Sequence, residues 1–549
     1  MGPCQRRPLR HRERPLTGHG CRIGCSAAQP LPRTGARNSR TSLKRLMRQR
    51  PGPFIADCGP SSDRAPRTPT MALRSDAVWT ATDTFISAGL AFAFRLIVAR
   101  TLAPDDFGVA SLALTTITLL QVVGDFGLTA ALIQRDESKM TPSLLGTTFT
   151  ASLAICGALF LVTVGAIAPL SAAYYRQPQV SDLTMVMATI LLMLPFSSIS
   201  TAMLYRRGRF KDVTIVRVVS NVIGLGVAAV VLFFKPDPWV IVWQTIVAQL
   251  VATAGFYYMA RWPLKPSFDR SLLKEVVGFS GLVFANDLAV SLSSNLAVIV
   301  LGRLLTPADV GLFALALYVT DTVRRSLMSI LNRVMFVHYA KIKHDLKSVG
   351  ETYVKTQLWN CKLNFPVMMA LIFFGHSLCI QFLGPQWQSM GPVIQWLAFS
   401  VMIHAAGGTT STLYKAIGRP GLDLTLFLFT TVAIQIPSVV LGAYWYGLLG
   451  VAVATALTKF VSIAIRQLLL DRLVGGTTTL VLRNVFTALM LQIPLAVAWI
   501  VGRVTGMGDH WMADLILAVC GGGITMIWTF YPEFIRLLQQ RRGRRVQRA

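Results

Sequence analysis

The sequence predicts an all-α polytopic membrane protein. It is read as about fourteen transmembrane helices, forming two six-helix lobes related by a pseudo-twofold axis, plus two C-terminal helices. Three observations predict this. Of 549 residues, 53% are hydrophobic and 14% charged, too apolar for a soluble enzyme of this length. Apolar runs of about 20 residues, the length that crosses a bilayer, recur along nearly the whole chain after residue 75. Finally, the stretch ARTLAPDDFGVASLAL (99–114) returns 203 residues later as GRLLTPADVGLFALAL (302–317), identical at eight of sixteen positions. Such a match is an internal repeat, and a repeated half in a polytopic membrane protein is the usual plan of a transporter with its site between the halves.

Residues 1–70 form a basic extension rich in Arg, Pro, Gly and Ser, a composition that cannot bury a core and is expected to be disordered. They hold 15 Lys and Arg against 3 Asp and Glu, so twelve of the net +28 charges lie here. With no apolar run of signal-peptide type, the extension is read as an over-extended start ahead of Met71, a transit peptide being the alternative. Cys4, Cys21, Cys25 and Cys58 with His19 fit no zinc-ligand spacing, and Cys156, Cys361, Cys379 and Cys520 read as small apolar residues. No metal or cofactor is expected.

From Met71 the candidate spans are 76–98, 107–131, 146–170, 183–204, 214–234, 239–260, 276–302, 310–336, 364–384, 393–414, 422–445, 449–470, 484–503 and 512–531. This gives a first lobe over 71–275, a second over 276–475, two further helices over 476–535, and a basic tail over 536–549. The longest connections are 261–275 and 337–363. Lys and Arg concentrate after even-numbered spans, for example Arg206, Arg207, Arg209 and Lys211 after the fourth, while each loop after an odd span has at most one. The alternation places both termini in the cytoplasm and requires an even span count. Trp239, Trp262, Trp387, Trp445 and Trp511 near span ends are expected to be interfacial aromatics.

Within the repeated motif, Pro104 and Pro307 suit the first turn of a helix, where a missing N–H costs little. Thr306 and Asp309 have capping-box spacing, and Gly108 and Gly311 permit close helix contact. The motif therefore reads mainly as an external helix hairpin.

Ionisable residues in mid-membrane cost about 2.5–3.5 kcal/mol each on insertion scales and usually face a cavity or a partner. In the first span Thr80, Asp83, Thr84, Ser87 and Arg95 share one helical face; in the seventh, Asp287, Ser291 and Ser294 do the same. Two readings stay open: a hydrophilic cavity between the lobes, or interhelical hydrogen bonding without a ligand. Asp321, Arg324 and Arg325 have i, i+3, i+4 spacing, a local ion pair that leaves one cation over. Arg217 is read as snorkelling, Asp125 as facing cytoplasmic water or a cavity, and His404 and Lys459 as packed or snorkelling singletons. An interior with surplus Arg suits a phosphate-bearing substrate, whereas a cation exporter needs net carboxylate.

RLIVARTLAPDDFGVASLALTTITLLQVVGDFGLTAALIQ (95–134), LGRLLTPADVGLFALAL (301–317) and LYKAIGRPG (413–421) resemble the polysaccharide-transport branch of the multidrug/oligosaccharidyl-lipid/polysaccharide exporter superfamily, the Wzx-like lipid-linked oligosaccharide flippases. The resemblance runs from about residue 71 to 475; the basic extension departs from it. It implies a V-shaped, two-lobed, alternating-access transporter in the bacterial inner membrane, with no enzyme activity. The implied substrate is a polyprenyl-diphosphate-linked sugar repeat unit moved from the cytoplasmic to the periplasmic leaflet, with H+ or Na+ coupling and a polysaccharide polymerase and export machinery as partners. It carries cationic cavity roles to Arg95 and, less directly, to Arg324 and Arg325, and leaves the coupling acid open among Asp83, Asp287 and Asp321. A multidrug cation antiporter of the same superfamily is the alternative. A membrane glycosyltransferase would need paired carboxylates or a large external loop, and neither is visible. Nucleic acid is not expected as a partner.

Overall fold

A computed structural model describes residues 69–135, 140–263, 265–342, 344–505 and 511–546. The expectations for residues 1–68, including the four cysteines there, lie outside the described residues.

The first half of the chain runs through α1 (Pro69–Thr101), α2 (Pro104–Asp125), α3 (Leu128–Gln134), α4 (Pro142–Val162), α5 (Ala168–Tyr175), α6 (Pro178–Met187), α7 (Thr189–Arg206), α8 (Phe210–Phe234) and α9 (Trp239–Ala260). The second half holds α10 (Arg270–Leu304), α11 (Pro307–Ile342), α12 (Leu346–Leu383), α13 (Met390–Ala406), α14 (Thr410–Ala416), α15 (Pro420–Phe429) and α16 (Ile436–Val474). The chain then continues through α17 (Thr477–Met490), α18 (Ile493–Val504) and α19 (Trp511–Val546). Among the described residues, eleven helical stretches are long and apolar enough to cross a membrane. Their outward faces carry large apolar side chains such as Leu161, Phe233 and Ile527, which is how a chain meets lipid rather than water. The protein is an all-helical, multi-pass membrane protein.

Several helices depart from the spans read in the sequence, each for a local reason. The connection 337–363 is not a loop: α11 runs on to Ile342 and α12 begins at Leu346, with the Asp345 carboxylate accepting from the Lys347 and Ser348 amides at 3.1 and 3.2 Å. Hydropathy finds only the apolar part of such a helix and misses its polar continuation. The stretch 261–275 is likewise helical from Arg270, capped by Asp269, whose carboxylate accepts from the Ser271 hydroxyl and the Ser271 and Leu272 amides. These bonds hold the Asp269 carboxyl below its usual range. The second span ends early, at Asp125, because Phe126 and Gly127 are left-handed (φ 45° and 70°). The π-helical turns Thr163–Ile167 and Thr430–Gln435 lie just before Pro169 and Pro437. A proline cannot donate and crowds the carbonyl four residues back, so the helix widens there instead of breaking. In α16, Gly447 (φ 57°, ψ −137°) turns the chain, and the backbones of Gly442 and Gly450 meet across that turn. Trp387 and Trp262 are buried rather than interfacial: the Trp387 indole donates to the Ala99 carbonyl at 2.7 Å and that of Trp262 to the Ser200 hydroxyl at 2.9 Å.

The two copies of the repeated motif meet each other. A Cβ on Gly108 would lie 1.9 Å from the Pro307 carbonyl oxygen, and a Cβ on Gly311 2.0 Å from that of Pro104. Glycine alone lets α2 and α11 cross this closely. Around the crossing the copies exchange equivalent bonds. Arg100 donates to the Phe382 carbonyl at the end of α12 (3.1 Å), and its counterpart Arg303 donates to the Tyr174 carbonyl at the end of α5 (2.8 Å). The Thr306–Asp309 capping box forms as the spacing predicts, with reciprocal amide bonds of 3.3 Å.

Gly108→Ala should force the Pro307 backbone away and cost about 3 kcal/mol, the upper end for overpacking. It should be read as a lowered melting temperature of the purified protein. Gly226→Ala in α8 is the control, since no heavy atom lies within 4 Å of the added methyl; equal melting of the two variants would refute the crossing as a tight constraint.

Candidate functional site

Beneath the glycine crossing lies a cavity of about 530 Å³. α1 contributes Arg95; α2 contributes Ser111, Thr115 and Thr118; α10 contributes Ser293, Ser294 and Asn295; α11 contributes Tyr318, Asp321, Arg324 and Arg325. Thr320 of α11, Ser400 and His404 of α13, Gln435 of the π-helical turn, and Thr455 and Lys459 of α16 complete the polar lining. Four side chains of the lining are cationic and one is a carboxylate.

The cations are held in two different ways. Asp321 takes one arginine on each oxygen, Arg324 on Oδ1 and Arg325 on Oδ2, both at 2.5 Å. This is the i, i+3, i+4 arrangement of the sequence, and it leaves one surplus cation. Arg324 also reaches Nε2 of His404 at 3.2 Å. With Arg324 donating, that nitrogen accepts and the proton sits on Nδ1. Arg95 has no carboxylate within ion-pair distance among the described residues. Its guanidinium carbon lies 4.7 Å from the centre of the Tyr318 ring and 5.8 Å from that of Phe107.

On the opposite wall, the wide turn at 430–435 directs Gln435 and Thr431 onto α10. Ser293 Oγ donates to Gln435 Oε1 at 2.7 Å, Gln435 Nε2 donates to the Ser293 carbonyl at 2.9 Å, and Thr431 Oγ1 donates to Ser293 Oγ at 3.3 Å. A fully paired buried network of this kind fixes the wall's shape.

The structure thus brings Arg95, Asp321, Arg324, Arg325 and Ser294 together and leaves other expected residues elsewhere. Ser291 is outside the cavity lining, and its carbonyl accepts from Asn295 Nδ2 at 2.9 Å. Asp287 is exposed beside Asn286, which donates to it at 3.2 Å, and is also outside the lining. Ser87 is half-buried away from the lining. The side chains of Thr80, Asp83 and Thr84 lie outside the described residues. Asp125 is outside this cavity lining; it is half-buried and accepts from the Thr129 and Ser198 hydroxyls at 2.5 and 3.1 Å. Arg217 donates to the Tyr205 hydroxyl at 3.3 Å. His404 and Lys459, read from the sequence as packed or snorkelling singletons, both line the cavity. So do Ser293 and Gln435; the polar stripe of α10 signalled its serines without saying which of them faces inward.

Asp321→Ala should cost about 1–2 kcal/mol, chiefly by leaving the half-buried Arg324 without its carboxylate, since Arg325 is exposed and loses little. Adding Arg324→Gln should recover part of that loss in thermal melts. A double variant no more stable than Asp321→Ala would count against the pairing.

Comparison with known proteins agrees with this fold. A family model described as "Polysaccharide biosynthesis protein" matches residues 97–392, more than half of the chain. The lipopolysaccharide biosynthesis protein WzxC of Escherichia coli K12 is 24% identical over 416 residues, covering 74% of this chain and 83% of that one. The lipid II flippase MurJ in an inward closed conformation superposes with a TM-score of 0.66 at 15% identity, covering 83% of this chain and 99% of that one. An inward-facing multidrug resistance MATE transporter superposes at 0.59 with 14% identity, covering 75% and 99%. The last two share the fold alone; the family match is the more specific finding, and this chain belongs to the polysaccharide biosynthesis protein family.

Proposed function

We propose that this protein flips polyprenyl-diphosphate-linked oligosaccharide repeat units from the cytoplasmic to the periplasmic leaflet of the bacterial inner membrane. It would serve exopolysaccharide, capsule or O-antigen export. The observation that carries this reading is the charge of the cavity: four cations against one carboxylate, with Arg95 lacking any acidic partner among the described residues. A desolvated guanidinium without a carboxylate is costly in a membrane interior unless an anion arrives. Phosphate oxygens match its planar fork of donors. The same charge argues against the multidrug cation antiporter, since a cationic drug would be repelled. The role is transport, with no reaction carried out on the substrate.

The proposed architecture has fourteen spans in two six-helix lobes, with spans thirteen and fourteen (α17–α18 and α19) packed on α12. The turn at Gly447 divides one of the eleven apolar stretches into two spans. Pro69–Thr101 and Pro307–Ile342 add two helices of spanning length. The reciprocal Arg100 and Arg303 bonds support the pseudo-twofold relation. Loop charge supports cytoplasmic termini. Of the candidate coupling acids whose side chains are described, Asp287 and Asp321, it is Asp321 that lines the cavity, and H+ or Na+ coupling is assigned to it in this proposal. Arg324, Arg325, His404 and Lys459, which share the cavity with it, set its field. A polymerase and export machinery taking up the flipped unit complete the proposal.

The test is genetic and chemical. Arg95→Ala should abolish polymer at the cell surface while protein level stays unchanged, and lipid-linked repeat units should accumulate in the membrane. Arg95→Lys, which keeps the charge but loses the fork, should restore export only partly. Normal export from Arg95→Ala would overturn the cavity reading.

A further inference from the structure

Arg95 and the paired arginines differ in what is left for a ligand. Asp321 occupies donors of Arg324 and Arg325. Arg95 is flanked by the faces of Tyr318 and Phe107, at 4.7 and 5.8 Å, and makes no hydrogen bond among the described residues. An aromatic face attracts a cation through its quadrupole without using any N–H group. A carboxylate in the same place would bind the fork and cancel the charge. Tyr318 is itself held: Phe92 of α1 stacks on it with ring centres 6.5 Å apart and planes 18° apart. Arg95 and Phe92 are three residues apart on one helix, so they present a guanidinium and a ring to the same side of α1, and Tyr318 of α11 meets both.

We propose that Tyr318 is a positioning residue for Arg95. Its ring orients the guanidinium into the cavity and leaves all five N–H donors for the phosphate oxygens of the substrate. The role rests on the reading of Arg95 as the anion receptor. Tyr318 acts through its ring face, not its hydroxyl, and through Arg95 alone.

The experiment uses the full-length protein in detergent micelles, titrated with farnesyl diphosphate, a diphosphate on a short prenyl chain, with melting temperature measured alongside. Arg95→Ala should lose binding. Tyr318→Leu should weaken binding about thirtyfold, the size of a desolvated cation–π contact. Tyr318→Phe should stay within about twofold of the unchanged protein, because the ring face is retained. In the Arg95→Ala background, Tyr318→Leu should add nothing, as two residues acting as one unit require. Wild-type affinity in Tyr318→Leu, a Phe variant as weak as the Leu variant, or a further loss in the double variant would each overturn the positioning role while leaving Arg95 as receptor. Wild-type affinity in Arg95→Ala, or no binding by the unchanged protein, would overturn both readings. Should Tyr318→Leu fail to fold, Tyr318→Met takes its place in the same comparison with Phe.

Discussion

Two stretches of backbone with no side chain between them determine much of this molecule. The carbonyl of Pro104 faces the Cα of Gly311, and the carbonyl of Pro307 faces the Cα of Gly108, each closer than any Cβ could tolerate. Because each proline opens its helix and each glycine lies one turn further on, the contact is made by the first turns of α2 and α11 on each other. Small residues at a helix crossing allow the dispersion contacts that take over from the hydrophobic effect inside a bilayer. The neighbouring bonds repeat the same relation: Arg100 reaches from the first copy of the motif into the second half of the chain, and Arg303 from the second copy into the first. Trp387, edge-on to Phe107 at 5.8 Å and bonded to Ala99, fills the space beside α1 and α2.

Below the crossing the packing changes from apolar to charged, and the charges are not equivalent. Arg324 and Arg325 are compensated within their own helix by Asp321. The pairs stiffen α11, and Arg324 ties it to α13 through His404. Arg95 is held by rings instead, which stabilises the cation while leaving its hydrogen-bonding capacity open. One cavity therefore contains a paired framework, still one cation in surplus, and an uncommitted receptor. Ser293 and Gln435 form another part of the wall, held by bonds that also involve Thr431 of the wide turn before Pro437.

What the sequence disclosed follows from the range of each interaction. Capping at Thr306 and Asp309, proline at the first turn, and the Asp321 pairs act within four residues, so spacing alone reveals them. The glycine crossing was legible because its two halves are copies of one another. His404 and Lys459 were not legible: each stands alone in an apolar helix, and only the packing of α11, α13 and α16 around one cavity gives them neighbours. The stripe on α10 was legible as a stripe, but Ser291 and Ser293 are two residues apart and which one faces the cavity depends on the neighbouring π-helical turn. Hydropathy read 337–363 as a loop because a helix that leaves the bilayer changes its solvent without changing its hydrogen bonds. Trp387 and Trp262 lie near span ends, as interfacial residues do, yet their N–H groups are satisfied inside the protein.

The receptor and the crossing share α11. Arg95 stands six residues before the end of α1, and Tyr318 lies about three turns into α11, directly below the glycine contact. The cation comes from the first half of the chain and its platform from the second. We propose an alternating-access cycle in which rocking that parts the outer ends of α2 and α11 also draws Tyr318 away from Arg95. The guanidinium then loses the ring that aimed it, and its hold on a phosphate weakens as the outer side opens. Affinity and access would change together through one pair of helices, because a ligand drives a conformational change only as far as it binds the two states unequally. An arginine anchored by a carboxylate on its own helix, as Arg324 and Arg325 are, would keep its orientation throughout and could not provide that difference.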